Sequence, residues 1–129
     1  MNKLIDGIKV SEEIKKEIKS EIDFFISSGE RRPSLSIVLV GKHSASKIYV
    51  KAKMKACKEV GINANLISLN DNISQKDLLI LIEKLNNKKT EDGYIVQLPL
   101  PDHISVQKVI DSIDSNKDID GFTNDNIGS

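Results

Sequence analysis

The sequence predicts an α/β protein, built as a small parallel sheet of three or four strands with helices on both faces. Short apolar runs rich in β-branched residues recur at residues 34–41, 62–69 and 93–98. Amphipathic helical patterns alternate with these runs, and this order favours parallel strands joined by right-handed crossovers. The chain has 129 residues, enough for one domain with a buried core.

The first helix is expected over residues 11–28. Its apolar residues recur at helical spacing, and Glu12 and Glu13 suit the positive end of the helix dipole. Gly29 follows, and glycine is common just past a helix end. Upstream, residues 4–10 are a candidate fourth strand.

Pro33 separates this helix from the first apolar run. The run at residues 34–41 is continuous, as is typical of a strand buried on both faces. A second helix is predicted over residues 46–60 and ends at Gly61. Residues 62–69 form the next predicted strand.

A turn at residues 70–73 precedes the third helix. Ser74 and Asp77 have the spacing of a capping box, which predicts the start of that helix. A polar loop at residues 86–92 then leads into the strand at residues 93–98.

Prolines end that last strand. Pro99 and Pro101 cannot donate ladder hydrogen bonds, so the strand stops before them. Ser105 is expected to cap a short helix, and from Asp114 the chain becomes polar and rich in turns.

Composition excludes several classes of function. Lys and Arg together number 19, and Asp and Glu also number 19, so bulk charge favours neither a nucleic-acid nor a membrane-surface role. We expect no signal peptide, because the N-terminus has no continuous apolar h-region, and no membrane span, because no stretch of 18 apolar residues occurs. The single cysteine, Cys57, excludes an internal disulfide and fits a cytoplasmic protein, and we interpret it as a packing residue.

Lys53 has an unusual place on the second predicted helix. Four lysines share the polar face of this helix, namely Lys47, Lys51, Lys55 and Lys58. The opposite, mostly apolar face carries Tyr49, Ala52, Ala56 and Val60. Lys53 falls on that second face, where a lysine must extend to solvent, find a partner or give up its proton. Such a lysine is useful for proton transfer, although a side chain that simply extends to solvent would have no chemical role.

Three polar segments follow predicted strand ends or lie close to them. They are residues 41–46, the Gln97-Leu98-Pro99 exit and the turn at residues 118–121. Ligands of open α/β sheets bind outside the carboxyl ends of the strands. The sequence therefore predicts one cleft where a lysine, a tyrosine, a glutamine and aspartates converge.

Other familiar motifs are incomplete. Gly41-Lys42-His43-Ser44 lacks the second glycine and the ending of a P-loop, and no Gly-x-Gly-x-x-Gly dinucleotide fingerprint occurs. Residues 116–127 imitate a calcium loop, but Ile127 stands where a bidentate carboxylate is needed. No cluster has zinc-ligand spacing, so no metal site is expected.

Three separated blocks resemble the bifunctional methylenetetrahydrofolate dehydrogenase/cyclohydrolase family. The first block is Val40-Gly41 with Ala45-Ser46-x-x-Tyr49-Val50-x-x-Lys53-x-Lys55-Ala56 and Gly61-Ile62. The second is Asp92-Gly93 with Val96-Gln97-Leu98-Pro99-Leu100-Pro101. The third is Lys117-Asp118-Ile119-Asp120-Gly121-Phe122. The three blocks occur in the same order as in the family, and the resemblance covers nearly the whole chain.

The resemblance implies roles for individual residues. Lys53, Tyr49 and Gln97 would be catalytic, with Gln97 hydrogen-bonded to Lys53 and Tyr49 stacked on or near the folate pterin ring. Asp120 would anchor the amino-pyrimidine edge of the pterin, since a carboxylate accepts two hydrogen bonds. The implied substrate-binding residues are Tyr49, Ser46, Gln97, Leu98, Pro99 and Asp120.

The resemblance also implies two reactions on tetrahydrofolate derivatives. NADP would oxidise 5,10-methylenetetrahydrofolate, and water would then convert the methenyl product into 10-formyltetrahydrofolate. Residues 1–121 would be the folate-binding domain, and residues 122–129 would start a linker to an NADP-binding Rossmann-like domain that is absent from this chain. No cofactor-binding residue is expected here, and the full-length enzyme would be a homodimer. The choice between NADP and NAD stays open.

One loop departs from the family pattern. Lys42-His43-Ser44 replaces the more usual acidic and proline residues. Two other functions remain open at this point: a non-catalytic α/β module that binds a small ligand or a partner domain, and an enzyme that forms a Schiff base through Lys53.

Overall fold

The computed structural model describes residues 12–119 and confirms the α/β architecture. The helices are α1 (Glu12–Ser27), α2 (Ser44–Val60), α3 (Gln75–Asn87) and α4 (Val106–Ser112). The strands are β1 (Ser34–Val40), β2 (Asn63–Leu69) and β3 (Gly93–Val96). None of the described helices is long and apolar enough to cross a membrane.

The three strands are parallel and lie in the order β2-β1-β3. β1 pairs with β2 along its whole length, from Ser34 opposite Asn63 to Val40 opposite Leu69. It pairs with β3 on its other side. The carboxyl ends of all three strands therefore meet at one edge of the sheet.

Burial on both faces of β1 organises the core. Alternate residues of a strand point to opposite faces, and here both faces are apolar. Leu35, Ile37 and Leu39 belong to a cluster that includes residues of α1 and α2. Val38 and Val40 belong to a second cluster that includes residues of α3 and α4. The prediction of helices on both faces is confirmed.

Hydroxyl caps begin two helices as the sequence predicts. Ser74 Oγ accepts a hydrogen bond from the Asp77 N–H at 3.1 Å. Ser105 Oγ accepts from the Lys108 N–H at 3.2 Å. Gly61 ends α2 in the left-handed region with φ 90°, a conformation that glycine adopts readily.

Several predicted boundaries were wrong. β3 stops at Val96, so Gln97 and Leu98 lie in the following loop rather than in the strand. α2 begins at Ser44, two residues before the predicted start. α3 continues through Asn87, so Asn86, which the sequence placed in a loop, is helical. The candidate strand at residues 4–10 and the predicted first residue of α1 lie outside the described residues.

The side chain of Asn86 joins α3 to β3 and to the end of α4. Its Oδ1 accepts from the Tyr94 hydroxyl at 2.6 Å and from the Asp114 N–H at 3.1 Å. Its Nδ2 donates to the Ser112 carbonyl at 2.7 Å. Burial raises the pKa of Tyr94, which keeps the phenol protonated as a donor.

Cys57 is a core residue, as predicted. Its side chain is fully buried in the cluster beneath α2. Burial raises its pKa to about 11, so the thiolate is disfavoured at neutral pH.

An ion pair lies at the amino-terminal ends of β1 and β3. Arg31 donates to both carboxylate oxygens of Asp92, at 2.8 and 2.9 Å. Asp92 also accepts from the Ser34 N–H at 2.8 Å, which ties the start of β1 to the segment before β3. Burial alone raises the pKa of Asp92, but the hydrogen bonds from Arg31 and Ser34 and the charges of Arg31 and Lys117 outweigh it and lower the pKa.

Replacing Asp92 with Asn should lower the free energy of unfolding at neutral pH by about 0.5–1 kcal/mol, as for a largely exposed ion pair. Because the folded-state pKa of Asp92 is lowered, its contribution is complete above the unfolded pKa of about 4 and is lost as pH falls through the folded value. Urea denaturation at neutral and acidic pH should show Asp92→Asn losing less stability on acidification than wild type. The exposed Asp102→Asn serves as control, and equal losses for wild type and Asp92→Asn would contradict this role.

Candidate active site

The carboxyl edge of the sheet brings α2 beside the exit of β3. The Gln97 N–H donates to the Val38 carbonyl at 2.9 Å, which continues the β1–β3 ladder one residue past the end of β3. α2 begins four residues after β1 ends and runs back along one face of the sheet. Side chains from α2 and from the β3 exit therefore share one space.

Lys53 and Gln97 meet in that space. Lys53 Nζ donates to Gln97 Oε1 at 2.9 Å, and both side chains are partly buried. Of the three outcomes open to a lysine on the apolar face of α2, the structure shows that Lys53 finds a partner. The hydrogen bond that the family resemblance implied is present.

The Leu98 carbonyl fixes the orientation of the Gln97 amide. Gln97 Nε2 donates to this carbonyl at 3.2 Å. A carbonyl oxygen can only accept, so the amide must present its N–H₂ to Leu98 and its oxygen to Lys53. Ser46 Oγ donates to the same carbonyl at 3.4 Å, and the Ser46 side chain is buried, with 3% of its surface exposed.

The partner of Lys53 is neutral. Among residues 12–119, no carboxylate forms an ion pair with Lys53 Nζ. An amide oxygen accepts a hydrogen bond from an ammonium and from an amine alike. Gln97 can therefore hold the Lys53 nitrogen in one place before and after a proton moves.

Tyr49 is exposed, although its neighbour Val50 is buried in the core. Farther along the same face, Ala56 and Val60 are buried, whereas 56% of Tyr49 is exposed. Lys53, one turn after Tyr49, stands at the boundary between the packed and the open part of the face. The exposed ring of Tyr49 is thus free to contact a ligand.

The chain returns to the sheet beside β3 before the described residues end. Tyr94 and Asp118 form a parallel bridge, and Ile119 packs over Gly93, where an added Cβ would come within 2.6 Å of Ile119 Cδ1. Asp120, the predicted pterin anchor, is the next residue and lies outside the described residues.

Sequence reasoning missed the role of the Leu98 backbone. Leu98 and Pro99 were expected as substrate-binding residues, but the carbonyl of Leu98 is also the shared acceptor that joins Ser46 to Gln97. The Leu98–Pro99 peptide bond is cis. No side-chain pattern signals a backbone acceptor, so only the three-dimensional structure could identify it.

The β1–α2 loop does not have the sequence of a dinucleotide-binding loop. The β1–α2 loop, Gly41-Lys42-His43, lacks the glycines that let a backbone approach a pyrophosphate. Within residues 12–119, no group of three His, Cys, Asp or Glu side chains is placed to hold a metal ion.

Comparison with known proteins identifies a matching family. The family model described as "Tetrahydrofolate dehydrogenase/cyclohydrolase, catalytic domain" matches residues 5–120. The bifunctional protein FolD of Porphyromonas gingivalis is 47% identical over 126 residues, which are 98% of this chain and 43% of that protein. The chain thus spans less than half the length of the curated relatives that it matches.

Solved structures agree in fold. The bifunctional FolD methylenetetrahydrofolate dehydrogenase/cyclohydrolase of Campylobacter jejuni has a TM-score of 0.88 and 46% identity, covering 96% of this chain and 44% of that one. The Trypanosoma brucei enzyme, complexed with NADP and an inhibitor, has a TM-score of 0.87 and 32% identity, covering 95% of this chain and 41% of that one.

A double-mutant cycle tests the contact between Lys53 and Gln97. Lys53→Met and Gln97→Leu should each destabilise the chain, and the double variant should be less destabilised than the sum by about 1 kcal/mol, because each single change leaves one polar partner unpaired. Urea denaturation measures all four stabilities. Lys51→Met combined with Gln97→Leu is the matched control and should be additive. Additivity of the Lys53 pair as well would mean that the contact contributes nothing in solution.

Proposed function

The chain belongs to the tetrahydrofolate dehydrogenase/cyclohydrolase family, and we propose that it carries the folate-binding catalytic centre of a one-carbon-metabolism enzyme. The proposed reactions are oxidation of 5,10-methylenetetrahydrofolate with NADP and hydrolysis of 5,10-methenyltetrahydrofolate to 10-formyltetrahydrofolate. The observation that supports this most is the hydrogen bond from Lys53 Nζ to Gln97 Oε1 at the carboxyl edge of the sheet. Open α/β sheets bind their ligands at this edge.

We propose that the pterin ring of the substrate lies against Tyr49. An aromatic ring that is half exposed offers a face on which a flat heterocycle can stack. Gln97, Leu98 and Pro99 would form the opposite wall, because they follow β3 directly. Asp120 would accept hydrogen bonds from the amino-pyrimidine edge of the pterin. Ser46 would support this wall through its bond to the Leu98 carbonyl.

In the hydrolytic step, Lys53 would move a proton. Water adds to the bridging carbon of the methenyl group, and the bond from that carbon to N5 then breaks, leaving the formyl group on N10. The amine of Lys53 would take a proton from the attacking water and deliver it to N5, and the remaining hydroxyl proton of the adduct would leave to solvent as the formyl C=O bond forms. Gln97 would hold the nitrogen within reach throughout, since it accepts from either protonation state.

In the oxidative step, the described residues would position the folate. Their task is to hold the one-carbon bridge still and aligned, which lowers the barrier by orientation. NADP would supply the hydride acceptor. Since the β1–α2 loop lacks the glycines of a dinucleotide site, the residues that bind NADP are proposed to lie outside residues 12–119.

The wider biological setting is proposed from family membership alone. We infer a cytoplasmic homodimer whose folate products feed purine, methionine and histidine biosynthesis. We infer no nucleic-acid or membrane partner, in keeping with the balance of 19 basic and 19 acidic residues.

Binding of a folate tests the proposed site. Calorimetric titration of the purified chain with 5-formyltetrahydrofolate should saturate, and Tyr49→Ala should weaken binding about tenfold through loss of stacking. Phe24→Ala, at an aromatic residue on α1 that is also exposed, is the matched control and should bind like wild type. Absence of saturable binding would instead favour a non-catalytic interaction module.

Substitution of Lys53 tests the chemistry. In a protein that carries this chain, Lys53→Met should slow hydrolysis of 5,10-methenyltetrahydrofolate at least a hundredfold while folate binding persists, because proton transfer loses its carrier. The reaction is followed by the absorbance of the methenyl compound, with Lys51→Met as control. Turnover by Lys53→Met close to that of wild type would exclude the proposed role.

A further inference from the structure

We propose that a cavity at the carboxyl ends of β1 and β2 binds the glutamate carboxylates of the folate substrate, with Lys42 as the cationic contact. This inference rests on the proposed folate-binding function and adds a second subsite to it. The subsite would let the chain distinguish folates by the anionic tail that they carry.

The cavity has a volume of about 440 Å³. Its lining residues are Gly41, Lys42, Ser68, Leu69, Asn70 and Asp71. They come from the β1–α2 loop and from the end of β2. The Gly41 N–H donates to the Leu69 carbonyl at 2.9 Å, which holds the two segments together.

The cavity lies along the same sheet edge as the Lys53–Gln97 pair. Gln97 follows β3, Gly41 follows β1 and Asn70 follows β2, and the strand order is β2-β1-β3. Two strand spacings and an offset of two residues along the strands separate Gln97 from Asn70, a distance of about 12 Å. The aminobenzoyl group of a folate separates the pterin from the glutamate by a distance of this order. A folate with its pterin near Gln97 can therefore extend along the edge into the cavity.

The polar groups of the cavity suit a carboxylate on the side of Lys42. Within the described residues, Lys42 forms no ion pair, so its ammonium is available. Asn70 Oδ1 accepts from the Asn72 N–H at 3.1 Å, which leaves the Asn70 amide N–H₂ as a donor. Asp71 contributes an opposing negative charge, so removal of that charge should tighten the binding of an anion.

Lys42 offers a way to test the subsite by substitution. Lys42 lies in the loop where the family that the sequence resembles more usually has acidic and proline residues. Substituting Glu at Lys42 introduces an acidic residue of the kind usual in that loop, and the site is an exposed loop position, so the variant is expected to fold.

The test compares ligands with and without the tail. Calorimetry on the purified chain uses 5-formyltetrahydrofolate, its triglutamate form and 6-methyltetrahydropterin, which lacks the tail. Lys42→Glu should weaken both tailed ligands about five- to tenfold and leave the tailless pterin unchanged. Asp71→Asn should tighten the tailed ligands. Lys47→Glu, an equal charge reversal at an exposed position on α2, is the control.

The outcomes separate this inference from the proposed function. If wild type binds the tailed folates saturably and Lys42→Glu binds them equally well, the tail subsite is wrong while the folate site stands. If Lys42→Glu weakens the tailless pterin equally, the variant has disturbed the pterin site and the subsite is again overturned. If wild type binds none of the three ligands, the proposed function fails, and the subsite fails with it.

Discussion

Burial of β1 on both faces is the constraint on which the rest of the structure depends. β1 lies between two other strands, and its apolar side chains alternate between two clusters. These side chains are buried only if helices cover both faces of the sheet. The crossovers that supply these helices bring all the strand exits to one edge. Everything proposed about function lies at that edge: α2 begins there, β3 ends there, and the cavity beside Lys42 opens there.

The chemistry follows from how α2 places Tyr49 and Lys53 beside its buried residues. Val50, Cys57 and Val60 pack into the core along its length, while more than half of Tyr49 is exposed. Lys53 is partly buried and donates a hydrogen bond to the neutral amide of Gln97. A carboxylate partner would hold the lysine as an ammonium. The amide instead positions the nitrogen in either protonation state, as a residue that transfers protons requires.

Local sequence patterns predicted every described strand and helix and the apolar side of Lys53, because these features depend on neighbours a few residues apart. It could not predict contacts that depend on the packed fold. Lys53 and Gln97 are 44 residues apart, and their hydrogen bond followed from family resemblance rather than from spacing. The Leu98 carbonyl and the extension of α3 through Asn86 escaped detection because backbone acceptors and buried amide networks leave no local pattern.

The most direct test of the central claim is nuclear magnetic resonance of the lysine side-chain amines in the ¹⁵N-labelled chain. If Gln97 holds the Lys53 nitrogen at the sheet edge, the Nζ protons of Lys53 should exchange with water measurably more slowly than those of Lys47 and Lys51. Gln97→Ala should abolish that difference. Exchange of the Lys53 protons as fast as those of the two solvated lysines in wild type would contradict the claim.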